Sequence, residues 1–278
     1  MTDQVKLAVA QMGATQNVAE NLVRVLSVLD EAATQDVDVV VLPECVMSGY
    51  MFEDRAEAVS RAVTVNGPEL ADIARICREG QLHVVVGLLE RGHDDDLYNT
   101  AVLVDDAGQL IGHYRKTHLP CLGVDRFVDR GTETPPVVAT RHGNIGLAIC
   151  YDLRFPETAR SLALAGADII AQPSTWPSEA AMLAEHFVPV RACENRVFVA
   201  VANRADEESG VSFMGRSQIV APSGRRIAEA DGESDCLLTA VVDLGDARDK
   251  RIVNVSGEYE VSLFADRRPE LYGRITEQ

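Results

Sequence analysis

What most restricts the fold of this chain is a hydrophobic period that switches repeatedly between that of a strand and that of a helix. Val5 to Ala10 is a short apolar run of strand length, and beyond it Val18, Leu22, Val25, Leu26 and Leu29 fall at helical spacing between Asn17 and Ala33. Asp38 to Leu42 is β-branched, too short for a helix, and stops at Pro43, where a ladder would lose an N–H donor. A helix around Pro68 to Glu79 and a strand at His83 to Leu89 follow. Thr100 to Val104 and Leu110 to Arg115 flank the turn signal Asp105-Asp106-Ala107-Gly108 and predict a hairpin. The second half continues with strands at Pro136 to Thr140 and Ile145 to Ile149, a helix from Pro156 to Ala165, a strand at Asp168 to Gln172 and a helix from Glu179 to Glu194. Strands at Val197 to Ala202, Ser217 to Val220 and Leu237 to Val242 close the pattern, with turns at Pro222-Ser223-Gly224 and Asp231-Gly232. No linker, repeat or low-complexity segment interrupts it. The prediction is one α/β domain over residues 1–243 in which helices cover mixed sheets. The segment 244–278 reads as an irregular tail, too aperiodic for a core element and suited to packing on a partner subunit.

With 278 residues, 46% of them hydrophobic, the chain can bury a large core without disulfide staples. Its six cysteines, at positions 45, 77, 121, 150, 193 and 236, contain no C-x-x-C pair, so neither a zinc knuckle nor a disulfide framework is suggested and a cytoplasmic setting is expected. The first residues lack a basic region, and no stretch approaches the roughly 18 apolar residues of a membrane span. A soluble protein with no membrane partner is expected. The balance of 26 basic against 43 acidic residues, a net charge of −17, would repel nucleic acid and anionic lipid. Only three of the basic residues are lysines, Lys6, Lys116 and Lys250. Lys116 is conspicuous in mid-chain, because a compact ammonium can point at a single developing oxyanion where the flat arginine fork cannot.

Three segments place a reactive residue just after a strand. They are V-V-L-P-E ending at Glu44, G-H-Y-R-K-T-H-L around Lys116, and G-L-A-I-C-Y-D-L-R-F-P-E around Cys150. Loops at strand ends are where α/β sheets gather their active sites. Singly, each has a plain explanation: Cys150 as an inert buried thiol, Glu44 as a loop carboxylate, Lys116 as a surface cation beside Arg115. Their joint occurrence carries the functional reading. The histidines at 83, 93, 113, 118, 142 and 186 form no metal-binding motif, and no metal or cofactor is expected. Asp94-Asp95-Asp96 reads as a solvated turn rather than a calcium loop.

With these residues the chain resembles the nitrilase, or carbon-nitrogen hydrolase, superfamily, in which a glutamate, a lysine and a cysteine occur in this order. Ala8-Val9-Ala10-Gln11, Gln172-Pro173-Ser174-Thr175-Trp176-Pro177, Arg191-Ala192-Cys193-Glu194-Asn195-Arg196 and Gly215-Arg216-Ser217 fit as well, so the resemblance spans nearly the whole chain. It implies a four-layer α-β-β-α sandwich pairing into an eight-layer dimer, the tail reaching across. It also implies Cys150 as nucleophile, Glu44 as general base and proton shuttle, and Lys116 with the backbone N–H of Tyr151 as oxyanion stabilisers. Many members carry a further glutamate after the lysine. Here none occurs between Lys116 and Glu133, so Asp125, one methylene shorter, is the candidate second carboxylate; the alternative is a simple Asp125–Arg126 pair. Asp152, Arg154 and Glu157 are expected to form a local ion-pair network. Arg154 is also a pocket candidate, as is Trp176, whose alternative role is packing.

The run Cys150-Tyr151-Asp152-Leu153-Arg154-Phe155-Pro156-Glu157 looks like the branch that contains omega-amidases and deaminated-glutathione amidases, whereas true nitrilases usually follow the cysteine with tryptophan and glutamate. The resemblance thus implies hydrolysis of a small non-peptide carboxamide. An N-carbamoyl or nitrile substrate is the first alternative, and a non-catalytic homologue using Cys150 as a redox-sensitive thiol is the second.

Overall fold

The computed structural model describes residues 3–232 and 234–277. Strands β1 (Gln4–Gln11), β2 (Val39–Val41), β3 (His83–Arg91), β4 (Leu97–Val104) and β5 (Leu110–Arg115) form one six-stranded sheet with β14 (Cys236–Asp243), in the order β14-β1-β2-β3-β4-β5. The second sheet contains β6 (Val137–Thr140), β7 (Gly143–Leu147), β8 (Ile169–Ser174), β9 (Phe198–Asn203), β12 (Gln218–Val220) and β13 (Arg226–Glu229), in the order β13-β12-β9-β8-β7-β6. Both sheets are mixed: β1-β2-β3 and β7-β8-β9 run parallel, and the outer pairings are antiparallel. Short pairs β10 (Glu207–Glu208) with β11 (Val211–Ser212), and β15 (Arg251–Val255) with β16 (Tyr259–Ser262), complete the strands.

The strands read as unbroken apolar runs because both of their faces are covered. Along β1, Val5, Leu7 and Val9 join the core between the two sheets, while Ala8 and Ala10 face the opposite way. There they meet Val25, Leu29 and Ala32 of helix α1 (Val18–Thr34) and Leu70, Ile73 and Ile76 of α3 (Pro68–Gly80). On the far side of the second sheet, Gly146 abuts Leu162 of α4 (Pro156–Leu164), and Ala192 of α5 (Val188–Asn195) joins the same core. The layers are therefore helix, sheet, sheet, helix, the sandwich that the resemblance implied. Among the described residues no helix is long and apolar enough to cross a membrane.

Several local features depart from the expectation. Helix α2 (Arg55–Arg61) was not anticipated; it buries only Ala58, so it leaves no hydrophobic stripe in the sequence, and it is held by the Asp54 side chain accepting from the N–H of Glu57 at 2.8 Å. The helix expected over Glu179 to Glu194 is instead a wide π turn, Leu183–Phe187, leading into α5. Pro189, lacking an N–H, cannot bond back to the preceding turn and loosens the winding there. The tail is less irregular than its sequence: Leu244 and Ala247, the latter on α6 (Gly245–Arg248), belong to the core, and the β15–β16 hairpin follows. Its mostly exposed strands have no alternation for sequence reading to detect.

Candidate active site

Glu44, Lys116 and Cys150 converge at the seam between the two sheets. Glu44 lies three residues past β2, and its backbone is tied to the other sheet by its own N–H to the Ser174 carbonyl at 3.4 Å and by the Thr175 hydroxyl, which donates to the Glu44 carbonyl at 3.1 Å. Lys116 directly follows β5, and its N–H donates to the Asn99 carbonyl at 2.8 Å. Cys150 opens a 3₁₀ turn, Cys150–Arg154, just beyond β7, with φ of +44°. A left-handed backbone at a residue with a side chain is strained, and such strain collects where a group must be aimed. The Gln172 amide donates to the Cys150 carbonyl at 3.1 Å and helps hold this conformation.

The polar groups form one buried cluster. Lys116 Nζ reaches Glu44 Oε1 at 2.6 Å and Asp125 Oδ2 at 2.5 Å, and all three side chains are fully buried. Asn99 Nδ2 donates to Glu44 Oε1 at 2.6 Å and to Asp125 Oδ1 at 2.9 Å, and the Tyr50 hydroxyl donates to Asp125 Oδ2 at 2.9 Å. Glu44 Oε2 has no N–H or O–H donor among the described residues. Burial alone would depress the lysine, but Asp125 and Glu44 outweigh it and hold Lys116 well above its usual value. Burial and the Glu44 charge raise Asp125, while Lys116 pulls the other way. Burial, then Glu44, pushes the Cys150 thiol well above the ordinary range; Lys116 and the Thr175 N–H oppose this. The thiol is therefore protonated at rest.

Asp125 thus lies against the lysine, and the simple pair with Arg126 does not form: Arg126 reaches the carbonyls of Gly123 and Phe52 and lies over the Phe127 ring. The Asp152, Arg154 and Glu157 network is also absent. The 3₁₀ turn carries Asp152 inward, where it accepts from the Ile149 N–H at 2.8 Å, the Tyr114 hydroxyl at 2.9 Å and His118 Nδ1 at 2.7 Å, while Arg154 and Glu157 point outward and are exposed. Trp176 is buried beside β8, its Nε1 lacking a partner among the described residues, and Tyr151 packs edge-on against Phe155. Asn99 and Tyr50 escaped sequence reading. The signal for Asn99 was an amide at the start of a largely apolar strand, since a buried polar side chain needs a partner; nothing near Tyr50 pointed to Asp125.

Residues 6–252 match the family described as carbon-nitrogen hydrolase. The chain belongs to that family. Among curated proteins this carbon-nitrogen hydrolase is 35% identical to a protein named nitrilase from Pyrococcus abyssi, over 92% of this chain and 94% of that one. It is 32% identical to the deaminated glutathione amidase of Mus musculus, over 97% and 85%. Among solved structures, the carbon-nitrogen hydrolase from Helicobacter pylori G27 superposes with a TM-score of 0.88 at 21% identity, covering 100% of this chain and 99% of that one, and shares its fold.

Proposed function

We propose that this carbon-nitrogen hydrolase cleaves a small non-peptide carboxamide to a carboxylic acid and ammonia through a thioester on Cys150. The observation that carries the reading is the Glu44 carboxylate, anchored through Oε1 by Lys116 and Asn99 while Oε2 is left without an N–H or O–H donor among the described residues. A thiol held above its usual range needs a base in the step of attack. Glu44 takes the thiol proton as Sγ bonds the carbonyl carbon, and the carbonyl π electrons move to oxygen. Lys116 and the Tyr151 N–H stabilise that oxyanion. Its collapse breaks the C–N bond, and Glu44 hands its proton to the departing nitrogen. Water then attacks the thioester, giving a proton to Glu44, and Sγ recovers a proton as the acid leaves. Asp125 serves as the second carboxylate by holding Lys116 against Glu44. Trp176, buried close beyond β8, stands as a candidate for contact with the acyl part, whereas Arg154, exposed and turned outward, does not.

A nitrile substrate is the second reading, favoured by the name of the Pyrococcus relative; Tyr151 and Asp152 after the nucleophile favour the amide. Intact-protein mass spectrometry after brief exposure to amides, N-carbamoyl compounds and nitriles, with ammonia measured in parallel, separates these readings. The expected result is an acyl adduct on the wild type, absent from Cys150→Ala, with ammonia released from amides. Ammonia from nitriles alone would replace the amide reading, and turnover of nothing would favour the non-catalytic one.

A cytoplasmic setting accords with the six cysteines, all unpaired. We also infer a homodimer in which the tail packs on the partner. Leu164 on α4 and Tyr272 and Ile275 in the tail are exposed large hydrophobic residues around one cavity, and a second copy would cover them. Light scattering is expected to give twice the 30.2 kDa chain mass at micromolar concentration, and a monomer would refute the assembly.

A further inference from the structure

We propose that Asn99 is a positioning residue for the base: it aims the Glu44 carboxylate and lets two buried carboxylates share one lysine. This rests on the reading of Glu44 as base. Asn99 is the third residue of β4 and is 1% exposed. Its single amide nitrogen bridges Glu44 Oε1 and Asp125 Oδ1, at 2.6 and 2.9 Å, and its own carbonyl receives the Lys116 N–H at 2.8 Å. One residue therefore fixes the main chain of the lysine and one oxygen of each carboxylate.

The side-chain oxygen shows why an amide stands there. Asn99 Oδ1 is buried and has no donor among the described residues. An unmet acceptor in the interior costs stability, and an apolar residue of similar size would avoid that cost. The amide cannot turn to relieve it, because rotation would set a carbonyl oxygen against two carboxylates. The nitrogen's two bonds fix the orientation, and both end on the charged cluster rather than on the packing around it.

Without that nitrogen, Asp125 Oδ1 loses its donor and Glu44 Oε1 keeps only Lys116, which it must share with Asp125. The Glu44 carboxylate is then free to turn away from Cys150. Hydrogen bonds to a carboxylate favour its charged form, and Asn99 is one of the groups opposing the upward pull of burial on Asp125, so its loss makes Asp125 easier to protonate. The acid limb of the rate profile moves to higher pH as a result.

The test uses Asn99→Leu, with Asn99→Ser as a second variant for the case in which Leu fails to fold. Both are assayed on the amide that the wild type hydrolyses fastest. The expected outcome is kcat lower by about 10-fold or more, KM within about threefold of the wild type, and the acid limb of kcat/KM shifted upward. The melting temperature of Asn99→Leu should fall, because Asp125 Oδ1 is left buried without a donor, so kcat and the acid limb carry the test. A merely structural asparagine would lower the melting temperature and leave kcat and the acid limb unmoved, which overturns the inference alone. A wild type that hydrolyses no amide overturns the Glu44 reading and this inference with it.

Discussion

Replacing Lys116 with methionine is expected to destabilise the protein by about 3–5 kcal/mol, because removing one member of a buried ion pair leaves its partners uncompensated. Here two partners are left. Glu44 and Asp125 both lie on the ammonium, and neither side chain is exposed to water. Asp125 is already raised by burial and by Glu44, with Lys116 the principal opposing charge. Without the lysine the main offset to burial and to the Glu44 charge at Asp125 is lost, and its carboxyl is driven further toward the protonated form. The same change removes the proposed oxyanion stabiliser, so kcat is expected to fall by on the order of 10²–10³. Urea unfolding and ammonia release check the two effects. The double variant Lys116→Met/Asp125→Asn should recover part of the stability, since it removes one stranded carboxylate, but none of the activity. A single variant with wild-type unfolding would mean that the buried pair is not as described.

Gly87→Ala should be nearly as damaging to turnover although the residue carries no functional group. A Cβ at Gly87 would lie 2.5 Å from the Glu44 Cα, 2.5 Å from the Pro43 carbonyl oxygen and 2.9 Å from the Pro173 Cβ. Two of these atoms are backbone, so no side chain can swing aside. Overpacking of this kind costs about 1–3 kcal/mol. The strand end carrying Glu44 must shift to admit the methyl, and a displacement of ~1 Å at a catalytic group lowers the rate about 100-fold. Gly112→Ala is the control: its Cβ would meet Leu103 Cβ and Val138 Cγ2 at 3.0 Å, away from the cluster, so it should lower stability while sparing kcat. Wild-type kcat in Gly87→Ala would show that Glu44 tolerates more movement than the proposed chemistry allows.

The sequence by itself determined the elements and the reactive residues at their ends. The period of Val5 to Ala10 and of Val18 to Leu29 is set by neighbours a few positions away, so strand and helix follow from local pattern alone. Glu44, Lys116 and Cys150 were legible for the same reason, each lying close beyond a strand whose end could be read. Only the tertiary structure decided what these residues touch. Asn99 meets Glu44 across 55 positions, and Tyr50 meets Asp125 across 75. Asp125 had two plausible partners in sequence, and burial chose between them by turning its carboxylate onto Lys116 and leaving Arg126 to backbone carbonyls. Asp152 was assigned to its sequence neighbours and went instead to Tyr114 and His118, because a 3₁₀ turn fans successive side chains about 120° apart and aims Asp152 inward while Arg154 faces out. Hydrophobic period reports which way a side chain faces, whereas a buried charge finds its partners through the packing of two sheets, which no local stretch of sequence contains.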